Sequence, residues 1–401
     1  MSQQTPTGFE PQSTRRLTPV LTLVLAVALA PLAHAAQVSV QLEGLSGDAE
    51  ASVVDALEID HYKDRQVSRA QVRRLYARAE EQIRTALEPY GFYNVVIDGE
   101  LKTSGENFIA VLKVTPGPPT VVKALGITLS EGSEGVATVD RARARFEPHL
   151  NQSLDHAAYE RSKGDIQGAL FGSGFLRAEL TQHEVRVTRA TNTAEIDLHW
   201  NVGERYRFGT TTFEGGQFPD SFLDRYIPWT VDQYYSSTEL LALQQALVDA
   251  DYFSIAQVQP DVEHAADGRV PIKVMLAPAK RTVYTGGVFY GTDTGAGVRG
   301  DVQRRWINQR GHKLGVETVF AERLTMVSTR YTIPLPGRDN HTVGFGFAYR
   351  DENTATSQSK TFRLAATDTR LWHAWIRTIG LQFLTGDFKV AEQKGNTTLL
   401  Y

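Results

Sequence analysis

Cysteine is absent from all 401 residues. That excludes a disulfide framework, thiolate metal sites and a cysteine nucleophile. His-Glu-x-x-His and Gly-x-Ser-x-Gly are also missing, and the ten histidines are scattered. The common zinc-protease and serine-hydrolase arrangements are therefore not written in this chain. No long block of one charge sign occurs. Lys and Arg total 42, Asp and Glu 46, and the net charge is −4, which excludes the basic footprint of a nucleic-acid binder. Beyond the first 35 residues, no apolar run is long enough for a transmembrane helix.

What is present begins with an export signal. Arg15 and Arg16 precede an apolar run from Leu17 to Ala33, and Ala33-His34-Ala35 precedes Ala36. A basic region, a short apolar core and an Ala-x-Ala site predict a signal peptide over residues 1–35. A cysteine-free exported chain of this length suits a Gram-negative envelope. The length predicts about two to four domains.

A module then recurs. A strand-like start ends in Glu-Gly at Val40-Gln41-Leu42-Glu43-Gly44 and at Thr211-Thr212-Phe213-Glu214-Gly215, with a looser copy at Ile127-Thr128-Leu129-Ser130-Glu131-Gly132. A second marker follows in each unit: Tyr90-Gly91-Phe92-Tyr93, Ser173-Gly174-Phe175-Leu176 and Ala250-Asp251-Tyr252-Phe253. An amphipathic helix precedes each marker. In the first unit Val72, Leu75, Tyr76, Ala79, Ile83 and Leu87 share a face, behind a capping box of Ser68 and Gln71. In the third unit Ser236 and Glu239 are expected to cap a helix presenting Leu240, Leu243 and Leu247. Alternating strands follow: Phe108, Ala110, Leu112, Val114; then Ile196, Leu198, Trp200, Val202; then Val270, Ile272, Val274, Leu276. Each unit reads β-α-α-β-β, an α+β module with helices on one sheet face and open sheet edges.

From about Val283 the helix signals stop. Val298, Gly300 and Val302 alternate with Arg299, Asp301 and Gln303. Val343, Phe345, Phe347 and Tyr349 alternate with Gly344, Gly346 and Ala348. Val327, Thr329, Tyr331 and Ile333 give a further apolar face that ends at Pro334 and Pro336. Turns are expected at Asp339-Asn340 and Asp351-Glu352-Asn353. Trp306 and Trp372 read as aromatic ends of segments. This is the transmembrane β-strand pattern, with roughly eight strands of about ten residues. Charges such as Arg299, Asp301 and Arg305 are expected to face a watery lumen.

The repeats, the helix-end markers, the stretch Gly287-Val288-Phe289-Tyr290-Gly291-Thr292-Asp293-Thr294-Gly295 and the run Arg305-Trp306-Ile307-Asn308-Gln309-Arg310-Gly311-His312 together resemble the TamA-like branch of the BamA/TamA outer-membrane assembly superfamily. The expected fold is α+β tandem POTRA modules followed by an antiparallel all-β transmembrane barrel portion. The expected domains are a signal peptide over 1–35, POTRA units over 36–120, 121–204 and 205–280, and the N-terminal half of a barrel over 281–401. The family closes sixteen strands and carries a late Arg-Gly loop motif that has no counterpart here, so the chain reads as lacking the second half of the barrel, the alternative being a smaller closed barrel of eight strands.

The resemblance implies a factor that takes client polypeptides in the periplasm by strand addition and passes them through a lateral seam in the barrel. The seam strand would be Val283, Tyr284, Thr285, Gly286, Gly287, Val288, Phe289 and Tyr290. Implied partners are a TamB-like inner-membrane-anchored periplasmic protein, unfolded outer-membrane or autotransporter clients, and outer-membrane lipid. Alternatives are a BamA-type general insertase, normally with five POTRA units, and a two-partner secretion exporter, normally with two. From other classes come a POTRA-bearing exported enzyme and a passive porin.

Two motifs point elsewhere and fail on context. Gly295-Ala296-Gly297-Val298-Arg299-Gly300 fits a dinucleotide fingerprint, but a fingerprint needs a helix to follow. Here Asp301-Val302-Gln303-Arg304 continues a period-two strand. Asp293-Thr294-Gly295 resembles an aspartic-protease triplet, but such sites need two paired carboxylates. The near echo, Asp368-Thr369-Arg370, lacks the glycine. No catalytic, metal or cofactor site is expected, and the chain reads as a non-enzyme.

Overall fold

The computed structural model describes residues 37–230, 232–335, 341–372, 375–390 and 392–401. The expected signal peptide, and the expected turn at Asp339-Asn340, lie outside the described residues. The described residues fall into two compact units: those up to Glu88 with Phe92–Gly117, and Pro89–Gly91 with Pro118–Tyr401.

The first unit is one β-α-α-β-β module. It comprises β1 (Val38–Glu43), α1 (Gly47–Ala56), α2 (Arg69–Leu87), β2 (Val96–Ser104) and β3 (Asn107–Thr115). Its sheet has the order β1-β3-β2, with β1 parallel to β3 and β2 antiparallel. Parallel pairing needs a crossover, and the two helices supply it. Helix α2 buries Val72, Leu75, Ala79, Ile83, Ala86 and Leu87 against Phe108, Ala110, Leu112 and Val114 of β3. Its N-terminus is capped as expected: Ser68 Oγ accepts from Gln71 N at 3.2 Å. Tyr76 is only half-buried, at the border of this core.

The second unit begins with another module of the same order: β4 (Val121–Leu129), α3 (Ala137–Ala144), α4 (His156–Gly172), β5 (Glu179–Thr188) and β6 (Thr193–Asn201). Its sheet runs β4-β6-β5. Trp200 is fully buried, and its indole N–H donates to Gln167 Oε1 at 2.8 Å, so the buried donor is satisfied. The cap of α4 was not anticipated from sequence. Asp155 Oδ1 accepts from Ala158 N at 3.0 Å, and Asp155→Ala is expected to cost about 1 kcal/mol of this module's stability in chemical unfolding.

The third module has β7 (Arg207–Glu214), α5 (Asp220–Leu223), α6 (Ser237–Asp249), β8 (Phe253–Pro260) and β9 (Arg269–Pro278), with sheet order β7-β9-β8. Here the expected Ser236/Glu239 cap is corrected. Ser236 occupies the N-cap position, but its side chain makes no capping bond. Instead Tyr235 before the cap and Leu240 in the first full turn both join the core, which is the spacing of a hydrophobic staple. Apolar burial holds this helix start.

The sequence markers have structural causes. Gly91 and Gly174 take φ of +83° and +101°, and the following amides close the helix ends: Phe92 N to Leu87 O at 3.2 Å, and Phe175 N to Leu170 O at 3.0 Å. These are Schellman bonds, which place a left-handed residue just past the helix. In the third module Asp251 fills that place at φ +58°. Aspartate tolerates this conformation better than most residues.

The remaining strands form one antiparallel sheet in sequence order. They are β10 (Thr282–Gly291), β11 (Gly295–Arg304), β12 (Lys313–Ala321), β13 (Leu324–Pro334), β14 (Thr342–Asn353), β15 (Ser357–Trp372), β16 (Trp375–Val390) and β17 (Gln393–Leu400). Registered residues share a face. One row crosses the sheet as Tyr284, Val302, Val316, Thr329, Phe347, Leu364, Phe383 and Leu400. Its opposite-face neighbour begins Thr285, Asp301, Glu317, Ser328, Ala348 and Arg363. One face is apolar and the other polar or small. The expected turn at 351–353 moves outward. Asn353 still pairs with Gln358, and Thr354 N closes the turn on Ser357 O at 2.8 Å.

Candidate functional site

The eight residues expected to form a seam all lie in β10, an outer strand of the large sheet that, among the described residues, is hydrogen-bonded to β11 alone. Arg305 N donates to Arg281 O at 2.8 Å, which sets the phase of the ladder. Bonded and non-bonded pairs alternate along antiparallel strands, so Val283, Thr285, Gly287 and Phe289 bond across to β11. Tyr284, Gly286, Val288 and Tyr290 turn their backbone N–H and C=O toward the open side.

Those four residues also lie on the apolar face. Tyr284, Val288 and Tyr290 are 76%, 86% and 78% exposed. On the other face Phe289 lies over Gly297, where an added Cβ would stand 2.6 Å from its ring. Gly286 faces Gly300 across the ladder, so no side-chain pair strengthens the strand there. The strand is a long, exposed edge with a weak middle.

The loop between β11 and β12 joins this sheet to the third module. Trp306 and Arg305 correct the sequence reading at this point. Trp306 is not the aromatic end of a strand; it packs edge-on to Phe218 of the third module, ring centres 6.2 Å apart. Arg305 does not face the lumen. Its Nε lies 3.0 Å from Asp251 Oδ2. Arg281 donates to the carbonyls of Trp306 and Ile307 at 3.0 and 2.7 Å. Arg299 and Asp301 do lie on the polar face, 3.9 Å apart.

Tyr252 is the centre of the joint. Its hydroxyl donates to Gly311 O at 2.5 Å, and its ring packs against Phe218 and Phe222. Gly311 has φ +72°, and a Cβ there would meet Phe222 Cζ at 2.6 Å and Tyr252 Oη at 2.7 Å. Only glycine fits. Lys313 Nζ reaches Ala250 O at 2.6 Å and lies 4.6 Å over the Tyr252 ring. Sequence reading found the marker at 250–253 but not this role. The available signal was aspartate replacing the glycine of the other two markers.

Burial raises the Tyr252 phenol well above its usual value, and burial likewise pushes Tyr226 up to about 12. For each, the contribution to stability is complete below the ordinary phenol value near 10 and is lost as pH rises through the raised one. The third module and its joint are therefore expected to weaken from about pH 10 upward. Denaturant midpoints read against tyrosinate absorbance check this. A midpoint flat to pH 12 would contradict it.

Among the described residues no group of three His, Cys, Asp or Glu converges as a metal site would require. No helix of the described residues is long and apolar enough to cross a membrane. GxGxxG is accounted for by the hairpin into β11, since Gly295–Arg304 is strand throughout.

Residues 39–116 match the family model for POTRA domain TamA domain 1. Among solved structures, BamA from Haemophilus ducreyi lacking POTRA domains 1–3 is 16% identical, covers 68% of this chain and 52% of its own, and superposes at a TM-score of 0.57. CdiB from Escherichia coli is 12% identical over 83% of this chain and 62% of its own, with a TM-score of 0.41. BamA POTRA3-5 from Haemophilus influenzae is 14% identical over 61% of this chain and 96% of its own, with a TM-score of 0.36. The match spans about half the length of the H. ducreyi chain. Residues 39–116 thus resemble the first POTRA domain of TamA, and the tandem modules followed by eight antiparallel strands share the fold of the matched portion of that BamA structure.

Proposed function

We propose that this chain is an outer-membrane assembly and translocation factor, with its three modules in the periplasm and its large sheet in the membrane. The observation that carries the reading is β10, whose outer backbone belongs to residues of the apolar face and has no partner strand among the described residues. An unpaired edge in hydrocarbon leaves each free polar group several kcal/mol unfavourable. An incoming client strand relieves that cost by pairing with Tyr284, Gly286, Val288 and Tyr290. Such pairing reads backbone rather than side chains, which suits many clients. The outer sheet strands of the modules offer the same chemistry upstream.

The finer reading is a TamA-like role. Autotransporters would be among the clients, and a TamB-like inner-membrane-anchored partner would dock on the modules. The test is disulfide trapping in the native outer membrane, from cysteines at Val288 and Tyr290 to cysteines in the terminal strand of an arrested autotransporter. Trapping in register at even positions is expected. Equal trapping at Gly287 and Phe289 would mean the edge does not template the client. Pull-down of a TamB-like protein that depends on residues 39–116 tests the partner.

A further inference from the structure

A cavity of about 220 Å³ lies where the third module meets the sheet, and Arg225, Tyr226, Asp249, Tyr252, Lys313 and His341 are among its lining residues. Its sheet wall is the polar face. Lys313, Thr332 and Thr342 line it, and register places them on the side opposite Phe345.

The charges in this wall do not balance locally. Asp249 Oδ1 accepts from Gln245 of its own helix at 2.8 Å, a neutral partner that does not offset its charge. His341 is held by Asp368. Asp251 is taken by Arg305. Among the described residues that leaves two cations, Arg225 and Lys313, against the one carboxylate of Asp249, a surplus of positive charge. Arg225 stacks 4.1 Å over Phe222, and its Nε and Nη1 are buried with no hydrogen-bond partner among the described residues. Lys313 has the Ala250 carbonyl and the Tyr252 ring, neither of which carries charge. Buried donors of a cation without partners are costly unless an acceptor arrives. The aromatic walls lower the local dielectric, which raises the value of an incoming anion.

We propose that this cavity binds the carboxylate of an acidic side chain on a polypeptide at the inner mouth of the sheet. Size favours a group over a whole cofactor, because small-molecule sites run to roughly 300–1,000 Å³. Placement on the polar face, away from the apolar one, favours a polypeptide over a lipid headgroup. The proposal rests on the reading that polypeptides pass this mouth.

The experiment uses the full chain in detergent and two fluorescent glycine/serine peptides, one with a single glutamate and one with glutamine in its place. In the unsubstituted protein the glutamate peptide is expected to bind about ten-fold more tightly at low salt, the difference one charge-assisted hydrogen bond makes. Arg225→Gln, with an unchanged melting midpoint, is expected to abolish the difference, and Arg225→Lys to keep part of it.

Equal binding of the two peptides by the unsubstituted protein overturns the proposal, whatever the variants do. So does a glutamate preference that survives both Arg225→Gln and Lys313→Gln. Binding of inorganic phosphate lost in Arg225→Gln, with no discrimination between peptides, would make the cavity a phosphate site and overturn the carboxylate assignment. Client insertion into liposomes is followed in parallel. A retained glutamate preference with no dependence of insertion on this protein would remove the assembly role and leave the carboxylate site standing.

Discussion

Gly44→Ala and Gly215→Ala are each expected to destabilise their modules by about 3–5 kcal/mol, whereas Gly132→Ala is expected to cost only about 1–3 kcal/mol. All three glycines follow the first strand of a module, and all have positive φ: +93°, +79° and +109°. An alanine at any of them bears the strain of a left-handed backbone. The surroundings then separate the three. A Cβ at Gly44 would stand 2.0 Å from the carbonyl oxygen of Val114, and one at Gly215 would stand 2.5 Å from that of Leu276.

Those carbonyls belong to β3 and β9, the central strands of their sheets. Neither can retreat without loosening pairs on both sides. At Gly132 the nearest atom is the Gly203 carbonyl at 4.0 Å, so only the strain remains. The Glu-Gly signature therefore records a close backbone approach in the first and third modules, and a turn alone in the second. Denaturant unfolding of the full chain, followed by hydrogen exchange in each module, separates these effects. Gly132→Ala as damaging as Gly44→Ala would remove the close-approach explanation.

This difference shows what the sequence could and could not reveal. The module order was legible because buried faces impose periods: 3.6 along α2, and two along β3, β6 and β9. The helix-end markers were legible because a left-handed residue is needed there and glycine usually supplies it. The joint was not legible. Asp251 lies 54 residues from its partner Arg305, and Tyr252 lies 59 from Gly311, and each has an ordinary local role: a helix end, a strand charge, a marker aromatic and a loop glycine. Only the fold shows that the residue departing from the marker pattern is the one paired with Arg305. The same blindness misplaced Trp306. An aromatic after an alternating strand looks like a membrane-interface residue, but the loop turns it into the third module's core. The span expected for the seam, 283–290, falls within β10, which runs from Thr282 to Gly291. Its free-edge phase depends on one backbone bond, Arg305 to Arg281, that no sequence pattern encodes.

Phe347→Arg is expected to weaken membrane integration by about 2–4 kcal/mol, while Gly346→Ala leaves it nearly unchanged. Phe347 lies midway along β14, in the apolar row that runs from Tyr284 to Leu400. An arginine there has its charge near the bilayer midplane, with the polar face of the sheet out of reach. Gly346 faces the other way. Its added methyl would meet Thr329 O at 3.6 Å and Ala365 Cβ at 3.7 Å, ordinary contacts that need no adjustment. Phe345 shares the apolar face but lies only four residues into the strand. Arginine at that depth can reach the interface, so Phe345→Arg should cost less than Phe347→Arg. The ordering tests orientation and depth together. Heat-modifiable mobility in lipid gives the first readout. Cysteines at 346 and 347, treated with a membrane-impermeant thiol reagent, give the second: labelling at 346 and protection at 347. Labelling at 347 alone would place the apolar row against water. The membrane reading of this sheet would then fail, and with it the cost of an open edge proposed to drive strand capture at β10.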